Sequence, residues 1–222
     1  GAHLVGHSYG AAVALKLASA HPGLVRSVAV YEPVLFRWLH DAGIGREPAR
    51  DIVAVADAIR ANLAAGQDAA AAQGFIDFWS GAGAWKSLSA GKQNTITARM
   101  PDVLRNFDAL FRDPLQPTEL ACLSTPMLIL TGTHTVAVTR CLGELARAAL
   151  PRARHEFLQG AAHMGPLTHA AEFNARVAAF LAPLTFAPSW LDAPATRATD
   201  AGRGLRLTRR WISRRPMRCP PF

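Results

Sequence analysis

One serine in this chain has surroundings that could make it a nucleophile. Ser8 lies in Gly6-His7-Ser8-Tyr9-Gly10, between the short apolar stretch Ala2-His3-Leu4-Val5 and a run of helix formers from Ala11 to Ala18. Strand, G-x-S-x-G and helix is the order that lifts a serine hydroxyl above a sheet edge at a helix N-terminus, with flanking glycines allowing the tight turn. A serine alcohol is a weak nucleophile until a neighbouring base takes its proton, so a histidine is required. His163, in Gly160-Ala161-Ala162-His163-Met164-Gly165-Pro166, directly follows the last strand-like stretch and is the candidate base. His169 is expected on the first turn of the next helix, and His7 is the variable residue of the turn. His134, His155 and His163 lack the helical spacing of metal ligands, so neither a metal nor an organic cofactor is expected.

These residues need a scaffold, and the hydrophobic pattern outlines one. Val25–Tyr31 reads as a second strand closed by Glu32-Pro33. From Val34 the text changes character. Helical spacing appears over Glu47–Ala65 (Ile52, Val55, Ala56, Ile59, Leu63), near Ala69–Trp79 and over Val103–Phe111, with no comparable strand signal. This insertion holds most of the aromatic residues, namely Phe36, Trp38, Phe75, Phe78, Trp79, Trp85, Phe107 and Phe111. Most are expected to build the insertion's own core, with a minority facing a substrate pocket. Strand and helix then alternate again: Pro126–Leu130, Thr139–Leu150, Ala153–Leu158 and a closing helix over Thr168–Leu181, with Thr168 as N-cap and Pro183 just past its end. The predicted division is core over 1–33, helical cap over 34–121, core over 122–182 and a disordered basic tail over 183–222.

Composition sets further bounds. Half of the 222 residues are hydrophobic, enough for one domain with an insertion, and no run of 18 apolar residues suggests a membrane span. The net charge of +8 is misleading until it is located. From Pro183 onward, eight arginines face only Asp192 and Asp200, so the tail carries most of it and the body is close to neutral. Basic residues around Trp211 suit phosphate contact, but the tail is aperiodic, and neither a nucleic-acid nor a membrane partner is expected. Cys122, Cys141 and Cys219 are odd in number and widely spaced, which fits free thiols and a cytoplasmic location.

With the elbow, the helical insertion after the next strand and the histidine after the last strand, the chain resembles an α/β-hydrolase over residues 2–182, the serine coming first and the histidine last. The resemblance implies a mostly parallel sheet with a helical cap inserted after the second visible strand. It also implies that four strands and a loop normally precede the elbow, so the chain reads as the C-terminal part of the fold, truncated at its N-terminus. Most relatives carry the triad acid just after the strand that is Pro126–Leu130 here. This chain has Gly132-Thr133-His134-Thr135 there and no Asp or Glu between Glu119 and Glu144. A neutral threonine cannot stabilise an imidazolium. Glu32, at the neighbouring strand end, can, and a subset of haloalkane dehalogenases in the same superfamily resembles this arrangement; there the nucleophile is Asp, so that chemistry does not carry over to Ser8. The oxyanion hole needs two N–H donors. One is the backbone of Tyr9, and the other belongs to the loop expected upstream. The implied reaction is serine hydrolysis of a small ester, thioester or lactone through an acyl-enzyme, with a small acyl substrate as the only partner. The alternative is an inactive fragment lacking the upstream strands and half of the oxyanion hole.

Overall fold

The computed structural model describes residues 1–41 and 46–185. Strand β1 (Ala2–His7) leads through Ser8 into helix α1 (Tyr9–Ala20) and strand β2 (Val25–Tyr31). Six helices follow: α2 (Arg37–Asp41), α3 (Arg46–Ala64), α4 (Asp68–Ser80), α5 (Ala90–Thr97), α6 (Met100–Arg112) and α7 (Pro117–Ala121). The alternation resumes with β3 (Met127–Gly132), α8 (Ala137–Ala149), β4 (Arg154–Leu158), α9 (Gly165–Thr168) and α10 (Ala170–Thr185). The four strands pair in sequence order, all parallel. A parallel pair needs a crossover connection, which is why a helix or helical segment separates each strand from the next.

The period-2 pattern of the inner strands sorts the core into two layers. Val28 and Val30 of β2, with Met127 and Ile129 of β3, pack with α1, α8 and the inserted helices. The intervening Ala29, Tyr31, Leu128 and Leu130 pack with Phe173, Val177 and Phe180 of α10. Both faces are covered, so β3 is buried at every position, as a central parallel strand must be. Strand β1 is an edge among the described residues, and Val5 on it and Val13 and Leu17 on α1 are exposed. Because the strands are parallel, their C-terminal ends share one edge of the sheet. Ser8, Glu32, Thr133–Thr135 and the loop to His163 all emerge there, which is where open α/β sheets bind ligands.

Several expectations are corrected. The closing helix is two helices: Thr168 ends the one-turn α9 instead of capping a longer helix, and His169 lies at the break rather than on a first turn. Thr168 Oγ1 bonds back to Met164 O at 3.3 Å, a local bond that serves the end of α9. Pro183 lies inside α10, in its final turn, where it removes one N–H bond to the preceding turn with little helix left to follow it. Residues 183–185 therefore belong to a helix rather than to the tail, and the remainder of the predicted basic tail lies outside the described residues. Of the predicted thiols, Cys141 is free, and Cys219 lies outside the described residues. No helix of the described residues is long and apolar enough to cross a membrane.

The end of β3 is packed without room to spare. A Cβ on Gly132 would fall 2.3 Å from Ala161 O and 2.5 Å from the Tyr31 hydroxyl, both fixed by other bonds. Gly132→Ala should therefore cost stability by about 1–3 kcal/mol, as overpacking does, and a denaturant melt of the variant against the parent measures it.

Candidate active site

The turn that presents Ser8 is strained where a nucleophile elbow should be. Ser8 has φ 55° and ψ −120°, a conformation L-residues seldom adopt, directly between β1 and α1. The strand and the helix approach so closely that a Cβ on Gly6 would lie 2.6 Å from Gly10 O. Gly6 is thus required, whereas a Cβ on Gly10 would meet nothing within 4 Å. Of the two flanking glycines, only the first makes the turn possible. Ser8 N donates to Tyr31 O at 3.0 Å, which ties the elbow to the end of β2. The N–H of Tyr9, at the first position of α1, has no intrahelical acceptor by position and belongs to the positive end of that helix.

The three side chains expected to act together form one hydrogen-bonded line. His163 Nε2 lies 3.0 Å from Ser8 Oγ, and His163 Nδ1 lies 2.7 Å from Glu32 Oε2. Glu32 is 1% exposed and His163 3%. A carboxylate buried this far must have its oxygens occupied. Gly132 N donates to Oε1 at 2.8 Å, and Thr135 Oγ1 donates to Oε2 at 2.8 Å. Thr135 Oγ1 is itself 2.7 Å from Thr139 Oγ1. The threonine that stands where relatives carry an acid is therefore a donor to Glu32. Glu32 has φ 46°, a second strained non-glycine residue, held by its own N–H bond to Leu130 O at 3.0 Å.

Three features of the site have no signature in the sequence. Tyr31 Oη donates to Ala162 O at 2.7 Å, pinning the loop that carries His163 to the end of β2. Its ring fits there because a Cβ on Gly132 or on Gly165 would collide with the phenol. Burial and the negative charge of Glu32 push the phenol far above its ordinary range, so it remains a donor. His7 reaches the same loop through Nε2, 2.8 Å from His163 O. Trp79 of α4 covers the imidazole of His163, with ring centroids 4.2 Å apart at 31°. A tyrosine next to a glutamate and a tryptophan in a helical insertion are ordinary in sequence; only the fold brings them to His163. His169, by contrast, is half-buried, and its ring nitrogen Nδ1 lies 2.9 Å from the hydroxyl of the adjacent Thr168.

A cavity of about 260 Å³ opens beside Ser8 and His163, roofed by the inserted helices. Phe36, Phe75, Trp79 and Phe107 line it, half of the insertion's eight aromatics rather than the expected minority. Phe36 stacks on Phe107 at 5.5 Å, and two of the other aromatics support the lining, Phe111 against Phe36 at 5.4 Å and Phe78 against Trp79 at 4.9 Å. Among the described residues no three His, Cys, Asp or Glu side chains group as a metal site would require.

A family model described as the alpha/beta hydrolase family matches residues 1–176, and the chain belongs to that family. No curated protein sequence matches the chain. Among solved structures it is similar to MGS-M2, an alpha/beta hydrolase enzyme from a Medee basin deep-sea metagenome library (17% identity, TM-score 0.63, 82% of this chain and 65% of that one). It is also similar to carboxylesterase CesB from Bacillus subtilis (21%, 0.59, 82% and 60%) and to the enol-lactonase from Burkholderia xenovorans LB400 (21%, 0.53, 82% and 65%). The matched part thus spans less than two thirds of each of these structures.

The surroundings of His7 make stability depend on pH in a definite direction. Burial first, and then the charge of His163, lower its pKa from 6.5. The folded state therefore binds that proton less readily than the unfolded state, so the contribution is intact above pH 6.5 and is lost as pH falls from there toward the folded value. Melts across this window should show the parent losing stability more steeply than His7→Gln, which keeps a donor for His163 O but does not titrate.

Proposed function

We propose that the chain acts as a serine hydrolase on a small ester, thioester or lactone, through an acyl-enzyme. The observation that carries this reading is the unbroken line from Ser8 Oγ to His163 to Glu32, with spacings of 3.0 and 2.7 Å, at the mouth of an apolar cavity. Ser8 attacks the carbonyl carbon, and His163 Nε2 takes the hydroxyl proton as the oxygen–carbon bond forms. The carbonyl electron pair moves to its oxygen, toward which the Tyr9 N–H contributes one donor. The tetrahedral centre then collapses, and His163 returns its proton to the departing oxygen or sulfur. Water, deprotonated by the same imidazole, attacks the acyl-enzyme and releases the acid. Glu32 holds the Nδ1–H tautomer throughout and stabilises the imidazolium without taking the proton.

The esterase and lactonase among the similar structures are consistent with acyl chemistry, though at their identities they speak for the fold. The leaving atom is not specified by the site, since nothing in the cavity distinguishes an ester oxygen from a thioester sulfur.

In the full-length protein, Ser8→Ala and His163→Ala should each lower kcat by on the order of 10⁶, and the double variant by little more, because the pair acts as a unit. Glu32→Gln should retain the fold and lower kcat by about 10³–10⁴. Hydrolysis of a p-nitrophenyl ester series measures all four, and near-normal turnover in Ser8→Ala would remove the assignment.

A further inference from the structure

One contact to His163 lies outside the hydrogen-bonded line from Ser8 to Glu32. The indole of Trp79 meets the imidazole with ring centroids 4.2 Å apart and planes 31° from parallel. The contact is between ring faces, where an indole carries the negative part of its quadrupole. A cation within about 6 Å of such a face is attracted to it, most strongly when both are out of water. Both are buried here, Trp79 at 6% and His163 at 3% exposure. The rest of α4 holds the indole in this pose. Phe75, one turn earlier, and Phe78 pack edge-on against it at 6.4 and 4.9 Å. Just beyond, α4 ends at Gly81, and Trp85 N donates to Asp77 Oδ1 at 2.8 Å, so the helix end is tied down.

The charges around His163 give this contact a purpose. Three titratable groups face the ring: Glu32 and Tyr31 from the end of β2, and His7 from the end of β1. From α4 and α6 come none, since no Asp, Glu, Lys or Arg lines the cavity and Asp77 is engaged by Trp85 N. Glu32 is the one negative charge among them, and it is shared. Its Oε1 accepts from Gly132 N, and its Oε2, which faces Nδ1, also accepts from Thr135 Oγ1. Each donor draws carboxylate charge away from the imidazole. Burial, and then the charge of His163, lower the pKa of His7, while burial and then Glu32 raise that of Tyr31, so neither supplies a counter-charge. The indole face is the remaining electrostatic support. It lies on the ring rather than at a nitrogen, and so leaves Nε2 to Ser8.

We propose that Trp79 is a positioning residue for the reaction: its indole face holds the plane of His163 and stabilises the imidazolium that forms at each proton transfer. This rests on the serine-hydrolase reading above and gives the inserted helices a part in the chemistry itself.

The test follows p-nitrophenyl butyrate hydrolysis by the full-length protein across pH. The acid limb of kcat/KM reports the base of the free enzyme, so it is independent of any contact between Trp79 and substrate. In Trp79→Leu this limb should move to lower pH by about half to one and a half units, and in Trp79→Phe by less, because phenylalanine keeps a weaker aromatic face. Leucine still covers the ring, so a merely structural role leaves the limb in place, and water admitted by looser packing moves it to higher pH; either result overturns the proposal. A second measurement needs no substrate. An imidazolium quenches an indole stacked on it, so the parent's tryptophan emission should fall in one step as His163 is protonated. That step should vanish in His163→Ala and in Trp79→Phe and survive in His7→Gln. A step that persists without Trp79, or no step in the parent, also overturns the proposal, whether or not Trp79→Leu folds. If the step behaves as expected and no ester is cleaved, the stack stands and the hydrolase reading falls; if esters are cleaved and the limb does not move, the reverse holds.

Discussion

A buried carboxylate organises this molecule. Glu32 is almost wholly withdrawn from water, and each of its oxygens is met by a donor from a different part of the chain. Gly132 N comes from the end of β3, Thr135 Oγ1 from the loop into α8, and His163 Nδ1 from the loop after β4. Removing any one would leave a buried charge short of a partner, which costs far more than the bond itself gains. The carboxylate thus fixes three strand ends relative to one another, and the imidazole that faces Ser8 inherits its orientation from that arrangement.

The remaining architecture keeps this cluster dry and rigid. Parallel pairing puts every strand's C-terminal end on one edge, and Tyr31 bolts the His163 loop to that edge through Ala162 O. Above it, α4 lowers Trp79 onto the imidazole, so the inserted helices touch His163 directly and wall the cavity in the same step. Strain at Ser8 and Glu32 is the cost of aiming two side chains at one histidine from adjacent strand ends, and the close-packed glycines at positions 6, 132 and 165 are what allow that approach.

Much of this was legible in the sequence where chemistry imposes a pattern. Ser8 was readable because a strained strand-to-helix turn needs glycine and a flanking apolar run. His163 was readable because it follows the last strand, and Glu32 because the usual position after β3 holds Thr135 and no carboxylate lies nearby. Element types followed from periodicity, yet the ends drifted: the turn at His169 and the continuation of α10 past Pro183 depend on local bonds that propensity does not record. Contacts between segments distant in sequence were not legible at all. Thr135 as a donor to Glu32, Tyr31 in its glycine slot and Trp79 over His163 are products of proximity in space. The aromatics of the insertion were assigned mainly to its core, but a cavity roof must present apolar surface inward, and half of them do so.

The central claim, that Glu32 rather than any group near Thr135 holds His163, can be tested by the proton spectrum of the folded protein in water. An Nδ1–H donated to a buried carboxylate over 2.7 Å resonates well downfield of the other amide and ring protons. The account predicts one such signal, absent in His163→Ala and in Glu32→Gln and retained in Thr135→Val. A downfield signal that survives Glu32→Gln would contradict it.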